Sequence, residues 1–459
     1  MVGRSARSVR YIDLFAGIGG FHLAADSVLK HGKCVLAVER DEACRAVYSK
    51  AFQDLPEKHF IRDVRSLTMN GATVATRSQI AKRVPNHDLL FAGFPCQPFS
   101  KGGQQDGLMD NTQGTLFHDI LSILDAKKPR LVILENVANL VGHNLGETWN
   151  TVVESLKTLG YLVDHEPLII SPHQLNRRAG GAPQHRRRVY IVAVHKSVKN
   201  ARKVMSEDVI RHADRPPRNH RWYIHNSGIL DPVTLTNASL TKTEQSWLTA
   251  WENFVKIIPD EKLPSFPIWV DSWFGRMKKP TQRRGSSASV RASAAIDNTA
   301  DAGWWDRFNQ ANRSFYFRHQ AVLDAWIAEH HVLSFPESRR KFEWQAGSYH
   351  EGRVGRTTKD CLIQFRPSGI RVKSPTYAPA LVAITQTPIV GNGKTWRRIT
   401  PQEAARLQGV RRFTPWRSAR LKGKPLTDAQ VFKQLGNAVN VKVAAFVMRR
   451  AIQLAGLAK

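Results

Sequence analysis

Val9-Arg10-Tyr11-Ile12-Asp13-Leu14-Phe15-Ala16-Gly17-Ile18-Gly19-Gly20-Phe21 decides the fold. The apolar run Val9 to Leu14 predicts a short strand. The glycines after it predict a tight turn, and Phe21 to Lys30 predicts a helix. A strand, a glycine-rich turn and a helix make the usual cradle for an adenosine-containing cofactor. The spacing here is Gly-x-Gly-Gly, not Gly-x-Gly-x-x-Gly, which argues against a dinucleotide pyrophosphate. Taken alone, such a turn serves equally well as a plain tight connection.

Working outward, Cys34 to Val38 reads as the next strand and Asp41 to Phe52 as a helix. Asp88 to Ala92, Leu131 to Leu134 and Val189 to Val194 are further apolar strands. Helical stretches such as Leu116 to Asp125 and Thr148 to Leu159 lie between them. Alternation of this kind predicts an α/β fold with a parallel, doubly wound sheet. Near-continuous apolar strands fit a sheet covered on both faces. The texture changes after about residue 200. Of 12 tryptophans only Trp149 precedes that point, and nine fall between Trp222 and Trp344. Basic clusters are interleaved with them: Arg276-Met277-Lys278-Lys279, Arg283-Arg284 and Arg339-Arg340-Lys341. The Ser- and Ala-rich stretch Gly285 to Ala295 reads as an exposed loop. Order returns near Pro375, with a strand expected over Ala380 to Thr385. A helix start is expected at Thr400-Pro401-Gln402-Glu403, and a last helix from Val441 to Leu454. The expected organisation is therefore 1–199, a second and smaller domain over 200–373, and 374–459 returning to the first.

Composition narrows the function classes. The chain has 459 residues, 68 Lys plus Arg against 38 Asp plus Glu, and a formal net charge of +30. Such an excess points to a polyanion, most simply nucleic acid, because each neutralised phosphate releases counterions. The Trp and Arg content of the middle region suits phosphate and groove contacts, although several of the tryptophans are expected in the core. No apolar run of about 18 residues is present to span a membrane. The start of the chain lacks a secretory pattern, so a cytoplasmic protein is expected. Four cysteines, none in a Cys-x-x-Cys pair, argue against a disulfide scaffold and a zinc finger, and no metal site is expected. A P-loop is absent.

Further constellations carry chemistry. Glu39 ends the second strand, 19 residues after Gly20, where a carboxylate accepts ribose hydroxyls. Asp63 is placed to reach an adenine amino group. Phe94-Pro95-Cys96-Gln97-Pro98 follows directly on a strand. A cysteine on such a turn is a candidate thiolate nucleophile, although a lone Cys also serves as a small buried hydrophobe. Glu135 in Leu134-Glu135-Asn136-Val137 ends another apolar strand, on the same sheet edge as Cys96 if the two strands are parallel. An unpaired charge there would be costly, which favours a functional carboxyl group. Gln184-His185-Arg186-Arg187-Arg188 precedes a strand. Its arginines either grip a phosphate or base carbonyl or form a solvated cluster.

These segments, in this order, resemble the DNA (cytosine-5)-methyltransferase family. Two later stretches extend the resemblance: Arg397-Arg398-Ile399-Thr400-Pro401-Gln402-Glu403-Ala404-Ala405-Arg406-Leu407-Gln408-Gly409 and Gln434-Leu435-Gly436-Asn437-Ala438-Val439. It covers about 1–195 and 375–459. The span between takes the place of the family's variable target recognition domain. Val410 stands where the family usually carries an aromatic residue.

The resemblance implies a class I methyltransferase fold, Rossmann-like, and transfer of a methyl group from S-adenosylmethionine to C5 of a cytosine flipped out of double-stranded DNA. S-adenosylhomocysteine is the by-product. It implies Cys96 as nucleophile at C6, Glu135 as the carboxyl group at N3, and Arg188 near the cytosine carbonyl. Arg186 is implied to hold the pocket. Phe15, Gly17, Ile18, Gly20, Glu39, Asp63, Pro95, Leu116, Asn437 and Val439 are implied to hold the cofactor. Ser100 to Asp110 matches the family's mobile catalytic loop. The implied setting is a bacterial restriction–modification system, in which any cognate endonuclease is encoded separately; an orphan or phage-borne enzyme is equally consistent with the chain, and a monomer is expected. A tRNA cytosine-5 methyltransferase and a catalytically silent DNA-binding homologue are the competing readings. The long basic middle region argues against the first, and the intact Cys96 and Glu135 against the second.

Overall fold

A computed structural model describes residues 8–95, 116–199, 201, 210, 214–218, 220–231, 238–258, 263–275, 303–347, 356–381, 387–410 and 413–457. Two compact units emerge. One comprises 1–231, 376–385 and 400–459, the other 232–375 and 386–399. These bounds differ from a division at 199/200 and 373/374. The first unit runs on to Asp231, and 386–399 belongs with the second.

In the first unit the opening stretch folds into β1 (Val9–Leu14), a turn and α1 (Gly20–Val28). It continues through β2 (Gly32–Val38), α2 (Glu42–Ala51) and β3 (Phe60–Ile61). Then come β4 (Leu89–Gly93), α3 (Leu116–Lys127), β5 (Leu131–Val137) and α4 (Glu147–Thr158). The last strands are β6 (Tyr161–Val163), β7 (Leu168–Ile170) and β8 (Arg188–His195). The sheet order is β3-β2-β1-β4-β5-β8-β6, with β7 also pairing β8. The first five of these strands are mutually parallel, as the alternating pattern implied. The exception is β8, antiparallel to β5, β6 and β7. The only helical element between β7 and β8 in sequence is a single 3-10 turn (Pro172–Gln174), with no α-helix, so the chain re-enters the sheet without the helical crossover that a parallel neighbour requires.

Both faces of this sheet are covered, which is why its strands are largely apolar. Tyr11, Phe91, Ile133 and Tyr190 pack under α1 and the last helix. Ile12, Leu14, Leu90, Val132 and Ile191 pack under α3 and α4. Alternate strand residues point to opposite faces, so Asp13 lies on the Tyr11 side. It is the polar residue among the buried positions of this strand.

The second unit folds as helices on a six-stranded sheet. Its helices include α5 (Lys242–Ile257), α6 (Gly303–Arg318) and α7 (Gln320–His330). Its strands are β9 (Ile268–Trp269), β10 (Lys341–Gln345), β11 (Leu362–Arg366), β12 (Gly369–Lys373), β13 (Ile389–Gly391) and β14 (Trp396–Arg398), in the order β9-β10-β12-β11-β13-β14. The tryptophans largely build this core. Trp251 stacks on Phe342 at 4.5 Å, and the buried N–H groups of Trp251 and Trp326 donate to Arg339 O and Ala250 O. Each ring thus fills volume and satisfies its one donor. The cluster Arg339-Arg340-Lys341, expected to suit phosphate contacts, is engaged within the unit instead. Arg339 lies over Phe365, Arg340 pairs with Asp271 at 2.9 Å, and Lys341 pairs with Glu337 at 2.7 Å. The other two basic clusters and the Gly285 to Ala295 stretch lie outside the described residues.

The chain returns to the first unit through α8 (Pro401–Leu407), α9 (Asp428–Asn437) and α10 (Val441–Leu454). The expected start of α8 is a capping box: Thr400 Oγ1 accepts from Glu403 N, and Glu403 accepts from Thr400 N at 2.8 Å. Of the strand expected over Ala380 to Thr385, residues 382–385 lie outside the described set. The nearby pairing is Ala378–Pro379 against Gln184–His185. Val443, Phe446 and Val447 of α10 pack with α1, and Val410 packs at the edge of the same cluster.

Candidate active site

The turn after β1 is held in an unusual backbone. Phe15, Gly17 and Gly19 have φ of 56°, 57° and 88°. Glycine adopts such angles freely. Phe15 does not, and residues held there cluster at functional sites. A Cβ at Gly19 would overlap the Phe52 ring, and one at Gly20 would lie 3.0 Å from Val439 O. At Gly17 it would meet nothing within 4 Å, so that backbone borders open space.

Glu39, just beyond β2, closes the turn. Its carboxylate accepts from Gly17 N at 2.8 Å and from Asp41 N at 2.7 Å. Burial raises its pKa, and these backbone bonds oppose the rise. Each oxygen keeps a lone pair for a further donor. Arg45, which the sequence did not single out, fixes this edge by donating to Glu39 O, Ile61 O and Phe60 O at 3.2, 2.9 and 2.8 Å. Asp63 follows β3, half-buried, and accepts from Arg65 N at 3.0 Å. Ile18 is buried, and Leu116 opens α3. Asp13 lies beneath the turn, fully buried, and neither carboxyl oxygen has a hydrogen bond of ordinary geometry. Burial pushes its pKa well up, opposed by the His22 backbone N–H.

The second cluster gathers at the adjacent strand ends. β4 and β5 are parallel, with Gly93 directly across from Glu135. A Cβ on Gly93 would come within 3.2 Å of Val439 Cγ2 and 3.8 Å of Glu135 Oε2, so three distant segments meet there. Glu135 is buried. Burial raises its pKa, while Arg188 and then Arg186 lower it. Its Oε1 lies 3.2 Å from Arg188 Nε. Asn136, another residue the sequence reading passed over, donates to Phe94 O at 3.0 Å and accepts from Val137 N. It ties β5 to the segment Phe94-Pro95 leading to Cys96. A polar residue inside an apolar strand was the available signal. Pro95 is exposed, whereas Cys96 and the stretch 100–110 lie outside the described residues. The other three cysteines are buried, and burial raises the thiol pKa of Cys34 and Cys44.

Arg186 is buried and directed at backbone. It donates to Leu381 O at 3.2 Å, Gly436 O at 3.1 Å and Ala438 O at 2.8 Å. It thereby anchors the segment carrying Asn437, which is exposed, and Val439, which is buried against Gly20 and Gly93.

Comparisons with known proteins place the chain in a family. The family model for C-5 cytosine-specific DNA methylase matches residues 9–453. The Type II methyltransferase M.AluI of Cellulosimicrobium cellulans is 36% identical over 505 aligned positions, spanning 96% of this chain and 92% of that protein. The Type II methyltransferase M.HpaII of Haemophilus parainfluenzae is 40% identical over 188 residues, 41% of this chain and 46% of its own. The Type II methyltransferase M.HhaI of Haemophilus parahaemolyticus is 38% identical over 184 residues, 40% and 48% respectively. The chain belongs to the C-5 cytosine-specific DNA methylase family and is a DNA cytosine-5 methyltransferase.

Proposed function

We propose that this enzyme methylates one cytosine within a specific duplex sequence, using S-adenosylmethionine, with Cys96 as nucleophile and Glu135 as the carboxyl group at N3. The observation that carries this reading is the Gly93–Glu135 register. It sets a buried carboxyl group, flanked by Arg188, beside the strand that leads into Pro95-Cys96.

The glycine turn fits the cofactor. Open space over Gly17 leaves room for an adenosine ribose, and spare lone pairs on Glu39 can accept from its hydroxyl groups. Phe15, Gly17, Ile18, Gly20, Glu39, Asp63, Pro95, Leu116, Asn437 and Val439 would hold it. When bound, S-adenosylmethionine supplies an electrophilic methyl group on a sulfonium.

The chain's own residues deal with the poor nucleophilicity of cytosine C5. The Cys96 thiolate adds to C6, forming a C–S bond and moving the C5–C6 π electrons onto C5, with charge spreading toward N3. Glu135 keeps a proton more readily than an exposed carboxyl group, because burial raises its pKa. It can therefore share that proton with N3 as charge develops. Arg188 sits beside Glu135, where it would hold the carboxyl group in place and face the ring carbonyl. Arg186 acts by holding 436–438. After transfer, water takes the C5 proton and the C–S bond breaks, which releases the thiolate and restores the aromatic ring.

The second unit is the proposed target recognition domain, and the enzyme acts as a monomer in the bacterial cytoplasm beside a separately encoded endonuclease. The Type II names of the relatives support that setting. Among the described residues no helix is long and apolar enough to cross a membrane. The test is bisulfite sequencing of plasmid DNA from cells that express this chain and lack other cytosine methylation. Protected cytosines in one recurring sequence are expected. An absence of protected cytosines would refute the reading, and assay on tRNA would then follow.

A further inference from the structure

Away from the cofactor turn and Glu135, the first unit carries a second cavity, of about 400 Å³. Its lining includes Arg177, Arg178, Arg406, Lys442 and Arg449, and among the described lining residues none bears a carboxylate. Among the described residues Arg406 is the one of these cations paired with a carboxylate. It pairs with Asp231 at 2.8 Å and donates to Ile229 O. Arg177, Arg178, Lys442 and Arg449 are exposed. Like charges gathered around one cavity repel, and an anion relieves that cost.

The cavity is built rather than incidental. Lys442, Ala445 and Arg449 fall on one face of α10, since residues three and four apart are neighbours on a helix, and the small Ala445 leaves the space between the two cations open. The Lys442 stem lies against two glycines in left-handed conformation, Gly180 (φ 97°) and Gly409 (φ 80°). A Cβ on either would come within 2.8 Å of Lys442. Trp222 also borders the cavity. It is buried, however, and its indole N–H donates to His173 O at 3.0 Å, so it offers no free face to a nucleobase. The site is suited to charge and lacks a platform for stacking.

We propose that this cavity binds phosphate groups of the DNA backbone flanking the target site, extending the footprint of the catalytic unit without reading sequence. The proposal rests on the enzyme's acting on duplex DNA. The test uses the full-length protein and the Arg178→Gln/Arg449→Gln double variant. Binding to duplexes of about 14 and 40 base pairs centred on the target is followed by fluorescence anisotropy over a KCl series. Loss of two phosphate contacts should make the log K against log[KCl] slope shallower by about 1.8 on the long duplex. The short duplex should bind unchanged, and turnover on it should equal wild type.

Equal slopes on the long duplex would overturn the proposal. If, in that case, inorganic pyrophosphate raises the melting temperature of wild type and not of the variant, the cavity takes free phosphates and the assignment to DNA falls. Loss of turnover on the short duplex would place these arginines in the catalytic machinery and equally overturn a separate site. Wild-type turnover on that duplex tests the methyltransferase reading independently.

Discussion

Replacing Arg186 by Met should loosen the return of the C-terminal segment to the catalytic unit far more than its volume suggests. Three buried carbonyl oxygens, of Leu381, Gly436 and Ala438, receive donors from this one guanidinium. Met keeps much of the bulk and none of the donors. Each buried acceptor left unpaired costs about 1–3 kcal/mol. Relaxation and water entry reduce the sum, leaving about 3–5 kcal/mol, a large share of the ~5–15 kcal/mol that holds a typical domain folded. Hydrogen–deuterium exchange reads this locally. Peptides spanning 434–446 should exchange about 10²–10⁴ times faster than in wild type, at roughly tenfold per 1.4 kcal/mol. Because Val439 packs against Gly20 and Gly93, affinity for S-adenosylmethionine should fall in parallel. Arg187→Met, at an exposed neighbour, is the control and should change exchange little. Unchanged protection of 434–446 in Arg186→Met would refute the view that this arginine works by anchoring backbone.

Cys96→Ala should abolish methyl transfer while leaving DNA affinity within a fewfold of wild type, and a duplex carrying 5-fluorocytosine should trap wild type covalently but not the variant. Measurable turnover in Cys96→Ala would sink the covalent route. Gly20→Ala should weaken cofactor binding and lower stability by about 1–3 kcal/mol, because its Cβ would press on Val439 O at 3.0 Å. Calorimetric titration against wild type checks this. Asp13 has a raised folded-state pKa, so its contribution is intact below the ordinary carboxylate range and is lost as pH rises toward the folded value. Asp13→Asn should therefore gain stability relative to wild type as pH rises from about 4 to 8. A pH-independent difference in urea midpoints would contradict that account. DNA affinity should fall steeply with salt, given the net charge of +30. A titration that stays flat between low and moderate KCl would argue against phosphate-dominated binding.

Much of this protein was legible along the chain because its decisive features are local. Val9–Leu14 and Val441–Leu454 fall at the residues that apolar periodicity marks out. The helix start at Thr400 follows from the side chains at its cap and third position. Glu39, Cys96 and Glu135 stood out as candidates, because in the sequence each follows or ends an apolar run where a polar group needs a reason, and Cys96 lies outside the described residues. The sequence by itself thus determined the sheet-and-helix alternation, the glycine turn and the candidate groups of the proposed site. Only the tertiary structure decided how they combine. The antiparallel entry of β8 beside β5 depends on which neighbour completes the sheet, and no local pattern records that choice. Periodicity did not separate the tryptophans and the Arg339-Arg340-Lys341 cluster that build the second core from residues free to meet a partner, because burial is set by what packs on top. The contacts of Arg186 with 436–438 and of Gly20 with Val439 join residues hundreds of positions apart. Such contacts exist only once the chain has closed on itself, and they turn separate motifs into one site.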